Sequence, residues 1–422
     1  MTYQDTLEYR LPPKEKQTKL YGISAANSSG QYVADTFLSF FAIELGGTFT
    51  QLSIISSIRN LGNSILTSFW GTQSDKHGRR PYLVLGNLTL FLSVISFLFI
   101  SNVTSLITIL IIQTLIGSAA IPVWISTLGD FSRAKNRGEF IGKVTGFGTF
   151  MSILTILIAG NWMDRSGRKG PHQYRLAFIL SALCFVLAII LILSLKESLT
   201  TEKVSEKPSS ILYVLRKNPV YRHFVVIESV FFFVMSFVWP IFSFVTKNIV
   251  HATNAQISAI TTVNMVSMAL AMRVAGMVSD KIGRKPVLIS GRMILFVVPL
   301  LYALTGVWPN WILLVLAGLF GGISGGLAVP AKNAIALDLA PKEYRASFFG
   351  IFVMITGMTS FAGSLVGGIL TQLLSLSVGD TRALVLVMYL GAILRFFASF
   401  GYFFLKETAP TKLSRFNINS DT

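Results

Sequence analysis

Apolar runs long enough to cross a lipid bilayer recur along this sequence, and short polar loops separate them. A helical crossing takes roughly 20 such residues. Only 13% of the 422 residues are charged and 52% are hydrophobic; a soluble protein usually carries about twice that charge. The runs are apolar all round the helix rather than along one stripe, which favours contact with lipid. The sequence therefore predicts an all-α integral membrane protein and excludes most soluble enzymes.

The pattern predicts twelve membrane-spanning helices. Breaks at Ser101-Asn102 and Pro309-Asn310 divide two of the longer apolar stretches. The predicted spans are 21–45, 51–73, 81–101, 104–128, 138–161, 174–195, 223–247, 256–279, 286–306, 309–332, 346–373 and 382–405.

The net charge of +17 raises the question of nucleic-acid binding. The basic residues do not form a binding stripe, because most of them fall in alternate loops between the apolar runs. That distribution is typical of membrane proteins, whose cytoplasmic loops are rich in Lys and Arg. It predicts a multi-pass protein of the cell membrane with both termini in the cytoplasm, with the bilayer and not nucleic acid as its partner. The basic outer segment 162–175 is the main exception.

A loop motif and a motif that follows the fourth span both occur twice, with nearly the same separation. The loop after the second span contains Gly71, Asp75, Gly78 and Arg79, and the loop after the eighth contains Gly276, Asp280, Gly283 and Arg284, 205 residues later. The residues after the fourth span are Asp130 and Arg137, and their equivalents after the tenth are Asp338 and Arg345, 208 residues later. Such a repeat predicts two six-helix halves in the same orientation, related by an axis along the membrane normal.

The predicted domains follow from this repeat. Residues 1–195 form the first half, residues 196–222 a charged and serine-rich cytoplasmic linker, and residues 223–422 the second half with a short tail. With its repeated loop motif, the chain resembles the major facilitator superfamily (MFS) over nearly its whole length. The resemblance implies the MFS fold and alternating access, in which the two halves rock around a central site.

The repeated loop combines turn geometry with charge. Gly78 and Gly283 would permit tight turns between antiparallel helices. The resemblance implies that Asp75 pairs near Arg345, and Asp280 near Arg137, forming a conformational latch that breaks when the protein opens. The simpler alternative is a topology anchor, which needs the basic residues but neither the Asp nor the Gly.

Charged residues inside a membrane are costly and usually face a cavity. Asp35 and Arg59 lie at similar depths in the first two spans, roughly 20 Å from the cytoplasmic end at 1.5 Å per residue. We predict that both face the central cavity, with Asp35 coupling transport to protons. The alternative is a static ion pair that only joins two helices. Further candidates for substrate or proton coupling are Gln31, Asn63, Gln113 and, less strongly, Arg395.

Other ionisable residues of the second half are expected nearer the membrane surface. Glu228, Arg292 and Lys332 are predicted to extend their charged ends towards the interface. Trp239-Pro240 should interrupt the seventh span, because a proline inside a helix removes a backbone hydrogen bond.

The sequence contains no zinc-ligand spacing, phosphate-binding loop or catalytic cluster. We therefore predict that the chain is not an enzyme, needs no cofactor beyond a proton gradient and works as a monomer on a small-molecule substrate. A proton-coupled solute transporter is favoured, and the alternatives are a drug/proton antiporter and a sensor that binds a solute without moving it. Gln113 stands where many drug antiporters carry Arg, and the fifth span lacks their Gly-Pro pair, which argues against antiport.

Overall fold

The computed structural model describes residues 14–132, 137–195, 218–341 and 345–408, and every regular element in these ranges is helical. The chain divides into two compact units, Met1–Leu45 with Ile65–Val204 and Gly46–Ser64 with Ser205–Thr422. The predicted division into residues 1–195, 196–222 and 223–422 stays a prediction. Residues 196–217 of the predicted linker lie outside the described ranges.

The helices up to residue 195 belong to the first unit, except that α2 begins in the second. They are α1 (Lys14–Glu44), α2 (Phe49–His77), α3 (Arg79–Ser96), α4 (Val103–Ile112), a π turn (Gln113–Gly117), α5 (Ala120–Asp130), α6 (Arg137–Arg165), a 3-10 turn (Gly170–Tyr174) and α7 (Arg175–Leu193).

The helices after residue 217 belong to the second unit. They are α8 (Pro219–Ser236), α9 (Trp239–Phe244), a π turn (Val245–Ile249), α10 (Asn254–Ile282), α11 (Arg284–Ile294), α12 (Val297–Leu304), α13 (Trp311–Asp338), α14 (Arg345–Val378), α15 (Asp380–Ser399) and a 3-10 turn (Phe400–Phe404).

Each predicted span overlaps one of these helices or a run of consecutive ones. Within the described residues, nine helical stretches are long and apolar enough to cross a membrane, and the first of them begins at Val103. The predicted break at Trp239-Pro240 is confirmed, because α8 ends at Ser236 and α9 begins at Trp239.

The turns predicted at the two repeated loops are present. Gly78 separates α2 from α3 with a φ of 90°, and Gly283 separates α10 from α11 with a φ of 99°. Side chains disfavour this backbone region, which glycine alone enters readily. Proline follows within the first turn of the next helix in both places, at Pro81 and Pro286. We call the end of each unit that carries this turn its loop end.

The two units repeat one close helix contact. In the first unit, a Cβ added to Gly86 of α3 would lie 2.7 Å from the backbone nitrogen of Ala120. In the second, a Cβ added to Gly291 of α11 would lie 2.9 Å from the nitrogen of Ala328. Each contact lets two helix backbones meet where a larger residue would separate them.

The core of the second unit is rich in aromatic side chains near its loop end. It includes Tyr221, Phe224 and Phe231 of α8, Phe352 of α14 and Tyr402. Aromatic rings bury a large apolar area and can also hold cations against their faces. This aromatic core surrounds the charged residues described below.

Candidate functional site: buried charges in the second unit

An ion pair recurs at the loop end of each unit. Arg79 Nη1 lies 2.5 Å from Asp130 Oδ2, and each side chain is less than a fifth exposed. Arg284 pairs in the same way with Asp338, and its Nη1 donates to the Ala334 carbonyl at 3.1 Å. The sequence placed all four residues in the latch without indicating that each arginine would bind the aspartate of its own half.

The next basic residue of each loop also makes an equivalent bond in both units. Arg80 donates to the Leu193 carbonyl at the end of α7, and Lys285 Nζ donates to the Phe403 carbonyl at 2.8 Å. In the second unit, the Glu407 carboxylate also accepts hydrogen bonds from the backbone N–H groups of Arg284 and Lys285 at 3.0 and 2.9 Å. These bonds satisfy free amides at the start of α11.

Four of the remaining latch residues have side chains that the structure does not describe. The side chains of Asp75, Asp280, Arg137 and Arg345 lie outside the part of the chain that the structure describes, so their pairing stays a prediction. A Cβ added to Gly71 or Gly276 would meet open space, in contrast to the strained turns at Gly78 and Gly283.

The residues proposed for proton coupling lie on α1 and α2. Asp35 and Gln31 are partly buried in α1, and Arg59 is partly buried in the segment of α2 that belongs to the second unit. The Asn63 side chain lies outside the described residues. The pairing of Asp35 with Arg59 therefore stays a prediction.

Gln113 marks an irregular turn. It begins the π turn between α4 and α5, and the Trp70 indole N–H donates to the Leu115 carbonyl within that turn at 3.0 Å. Single π turns inside helices are frequent at functional sites. This placement keeps Gln113 a candidate, but its contact with a substrate stays a prediction.

Glu228 and Arg292 form an ion pair inside the second unit. Glu228 is 0% exposed, Arg292 is 4% exposed, and Arg292 Nη2 lies 2.8 Å from Glu228 Oε2. The guanidinium also lies 4.5 Å from the ring centre of Phe231 and 5.6 Å from that of Tyr402. The prediction that these two charges extend to the membrane interface is wrong, because each finds its partner inside the protein.

Lys332 of α13 lies beside this pair on two aromatic rings. Its Nζ is 4.8 Å from the ring centre of Phe232 in α8 and 5.4 Å from that of Phe352 in α14. The residue is partly exposed, whereas Phe352 is fully buried. Among the described residues, no carboxylate forms an ion pair with this ammonium group.

Arg395 of α15 adds another cation. It is 1% exposed, and its Nη2 and Nη1 donate to the carbonyls of Met235 and Leu295 at 2.5 and 3.4 Å. Arg292 approaches the sulfur of the same Met235 at 3.9 Å. We call Glu228, Arg292, Lys332 and Arg395 the charged cluster.

Sequence reasoning missed most of the charged cluster. Helices that are apolar all round do not reveal which face points inward, so depth alone assigned Glu228 and Arg292 to the surface. One available signal was the number of charges within the spans of the second half.

Among the described residues, no group of three or more His, Cys, Asp or Glu side chains could hold a metal ion.

The apolar helices that are long enough to cross a membrane define a helical membrane protein. The sequence profile of the Major Facilitator Superfamily matches residues 20–238 and 224–417, so the chain belongs to that superfamily.

Several known proteins are similar to this chain over most of its length. The proton-coupled antiporter flippase LtaA of Staphylococcus saprophyticus is 25% identical over 397 residues, covering 91% of this chain and 93% of its own. Multidrug resistance protein 2 of Bacillus subtilis is 25% identical over 325 residues, covering 73% and 77%. The solved structure of the nucleoside transporter NupG has a TM-score of 0.75 at 15% identity, with coverage of 93% and 100%. At that identity, the likeness to NupG concerns the fold alone.

Proposed function

We propose that this chain is a secondary active transporter that moves a small solute across the cell membrane by alternating access, driven by a proton gradient. The proposal includes twelve membrane crossings, cytoplasmic termini and a functional monomer. Asp35 would take up and release the proton, and Arg59, Gln31, Asn63 and Gln113 would contribute to the central site.

The observation that carries the proton coupling is the position of Asp35. It is partly buried in α1, 21 residues after the helix start at Lys14 and nine residues before the helix end at Glu44. A carboxylate at such a depth is costly unless it has a function, and carboxylates of this kind relay protons in many transporters. The full-length similarity to a protein named as a proton-coupled antiporter supports the same role.

Drug/proton antiport is the second candidate. The similarity to multidrug resistance protein 2 favours it, as does the antiporter name of the staphylococcal relative. Gln113 in place of a helix arginine argues against the drug-exporter type. A sensor that binds without transport is the least supported alternative.

The test uses purified protein in liposomes with an imposed pH gradient. A panel of nucleosides, short peptides, organic anions and lipophilic cations is first screened by thermal shift, and compounds that bind are then tested for transport. We expect Asp35→Asn to abolish gradient-driven movement while solute binding persists. Asp380→Asn is the matched control, because Asp380 is an exposed carboxylate at the start of α15.

The result that overturns the proposal is an Asp35→Asn protein whose transport keeps the normal dependence on the pH gradient. Compounds that bind to the wild-type protein but are never moved would instead indicate a sensor.

A further inference from the structure

The charged cluster holds more positive than negative charge. The cluster contains three cations, Arg292, Lys332 and Arg395, and one carboxylate, that of Glu228, which already forms an ion pair with Arg292. Arg395 is satisfied by two backbone carbonyls. Lys332 is therefore the cation of the cluster that has neither an ion pair nor a carbonyl acceptor among the described residues.

The cluster lies well inside the second unit. Lys332 is six residues from the end of α13 at Asp338, or roughly 9 Å at 1.5 Å per residue. Glu228 lies nine residues into α8, or roughly 14 Å by the same rise. A charged side chain without a counter-charge at such depth costs free energy, and it usually marks a ligand site or an ion pathway.

The first unit shows that the fold does not require these charges. At the repeat offsets of 205 and 208 residues, and at the offset of 210 that relates Leu193 to Phe403, the equivalent positions are uncharged. Glu228 corresponds to Ile23, Arg292 to Asn87, Lys332 to Trp124 and Arg395 to Phe185. All four of these residues are buried, with exposures of 8% or less. The charges are therefore specific to the second unit and call for an explanation other than packing.

We propose that Lys332 binds an anionic group, a carboxylate or phosphate, of an amphipathic substrate whose apolar part contacts Phe232 and Phe352. The proposal rests on the transport function above and adds the class of substrate. Lysine supplies three donors on a flexible stem and binds such oxygens through charge-assisted hydrogen bonds. The Lys332 residue is partly exposed, whereas Glu228 is fully buried.

Each neighbour has a defined part in this site. The rings of Phe232 and Phe352 hold the ammonium in place while no anion is bound and offer apolar surface to the substrate. Glu228 is a positioning residue that fixes Arg292 by the 2.8 Å ion pair. The excess positive charge also repels cationic solutes, which provides selectivity against them.

The experiment measures binding by titration calorimetry on the full-length protein in lipid nanodiscs, without a pH gradient. The probes are two matched pairs of anion and neutral analogue, 1-naphthylacetate with 1-naphthylacetamide, and octyl phosphate with octanol. Empty nanodiscs provide the background for partition into lipid. Comparison of the two pairs distinguishes a carboxylate from a phosphate preference.

We expect the wild-type protein to bind at least one anion about tenfold or more tightly than its neutral analogue, the size of one charge-assisted hydrogen bond. Lys332→Met should remove this preference and leave the neutral analogue unaffected, and Lys332→Arg should retain it. Lys143→Met is the matched control, because Lys143 is an exposed lysine of α6 paired with Glu139.

Two results would overturn the inference. One is a wild-type protein that prefers neither anion, a measurement that needs no variant to fold. The other is a folded Lys332→Met protein that keeps the preference. Anion binding without pH-driven movement would refute the transport function but leave the site standing, whereas transport without any anion preference would refute the site alone.

Discussion

At the scale of single residues, the two turn glycines differ sharply from the other glycines of the same motif. Gly78 and Gly283 have φ values of 90° and 99°, with ψ values of 154° and 168°. Gly71 and Gly276 have open space around the position of a Cβ. The sequence predicted all four as one motif, but only backbone geometry separates those that a turn requires from those that it does not.

Substitution should reveal this difference. We expect Gly78→Ala or Gly283→Ala to lower the free energy of unfolding by about 1–3 kcal/mol, because an alanine in this backbone region is strained. Gly71→Ala should instead raise it by about 0.5–1 kcal/mol, because Gly71 lies inside α2 and alanine favours a helix interior more than glycine does. Thermal unfolding in detergent micelles measures both, and equal effects would contradict the geometric explanation.

The buried ion pair between Glu228 and Arg292 leads to a second prediction for single residues. We expect Arg292→Met to destabilise the protein by about 3–5 kcal/mol, because it leaves an uncompensated carboxylate in the core. The double variant Glu228→Leu with Arg292→Met should recover most of this loss. A double-mutant cycle on unfolding gives the coupling energy, and strictly additive effects would show that the two charges do not depend on each other.

At the scale of elements, the start of α11 is capped by a residue that is distant in sequence. Glu407 accepts bonds from the first two amides of α11, which lie more than 120 residues before it. Sequence patterns predicted where the helices begin and end to within several residues, since apolar length and Gly-Pro punctuation are local signals. They could not predict this cap, because its donors and acceptor meet only after α15 has packed.

Removal of the cap should affect α11 locally. We expect Glu407→Gln to cost about 1 kcal/mol, in the range of helix-capping substitutions. Hydrogen exchange at the amides of Arg284 and Lys285 should speed up, while exchange in α3 of the first unit stays unchanged. Lys406→Gln is the neighbouring control, and similar exchange in both variants would contradict the capping role.

At the scale of the whole molecule, the sequence predicted the helical membrane architecture and the superfamily. Composition, run length and the double loop motif are global signals that a single chain displays. The sequence did not predict the charged cluster, because the inward and outward faces of a helix that is apolar all round have the same composition. The halves share a repeat, yet their cores differ in charge at four equivalent positions, and the repeat itself does not predict such divergence.

Orientation in the membrane is the prediction that belongs to this scale. In a Cys184→Ala background, we expect cysteines at Lys76 and Lys281 to react with a membrane-impermeant maleimide only after cells are opened. Cysteines at Ser101 and Val307 should react in intact cells. All four positions are exposed, so accessibility is not limited by packing. The reverse pattern would place the loop ends outside and refute cytoplasmic termini.

The uncharged residues of the first unit provide a template for redesign within the same chain. Ile23, Asn87, Trp124 and Phe185 show one way in which this helix arrangement can be filled without charge. At these four positions, one copy of the architecture keeps uncharged packing while the other accepts costly groups. A protein engineer who wishes to alter ligand choice in the second unit should leave these four uncharged positions untouched and vary their charged equivalents.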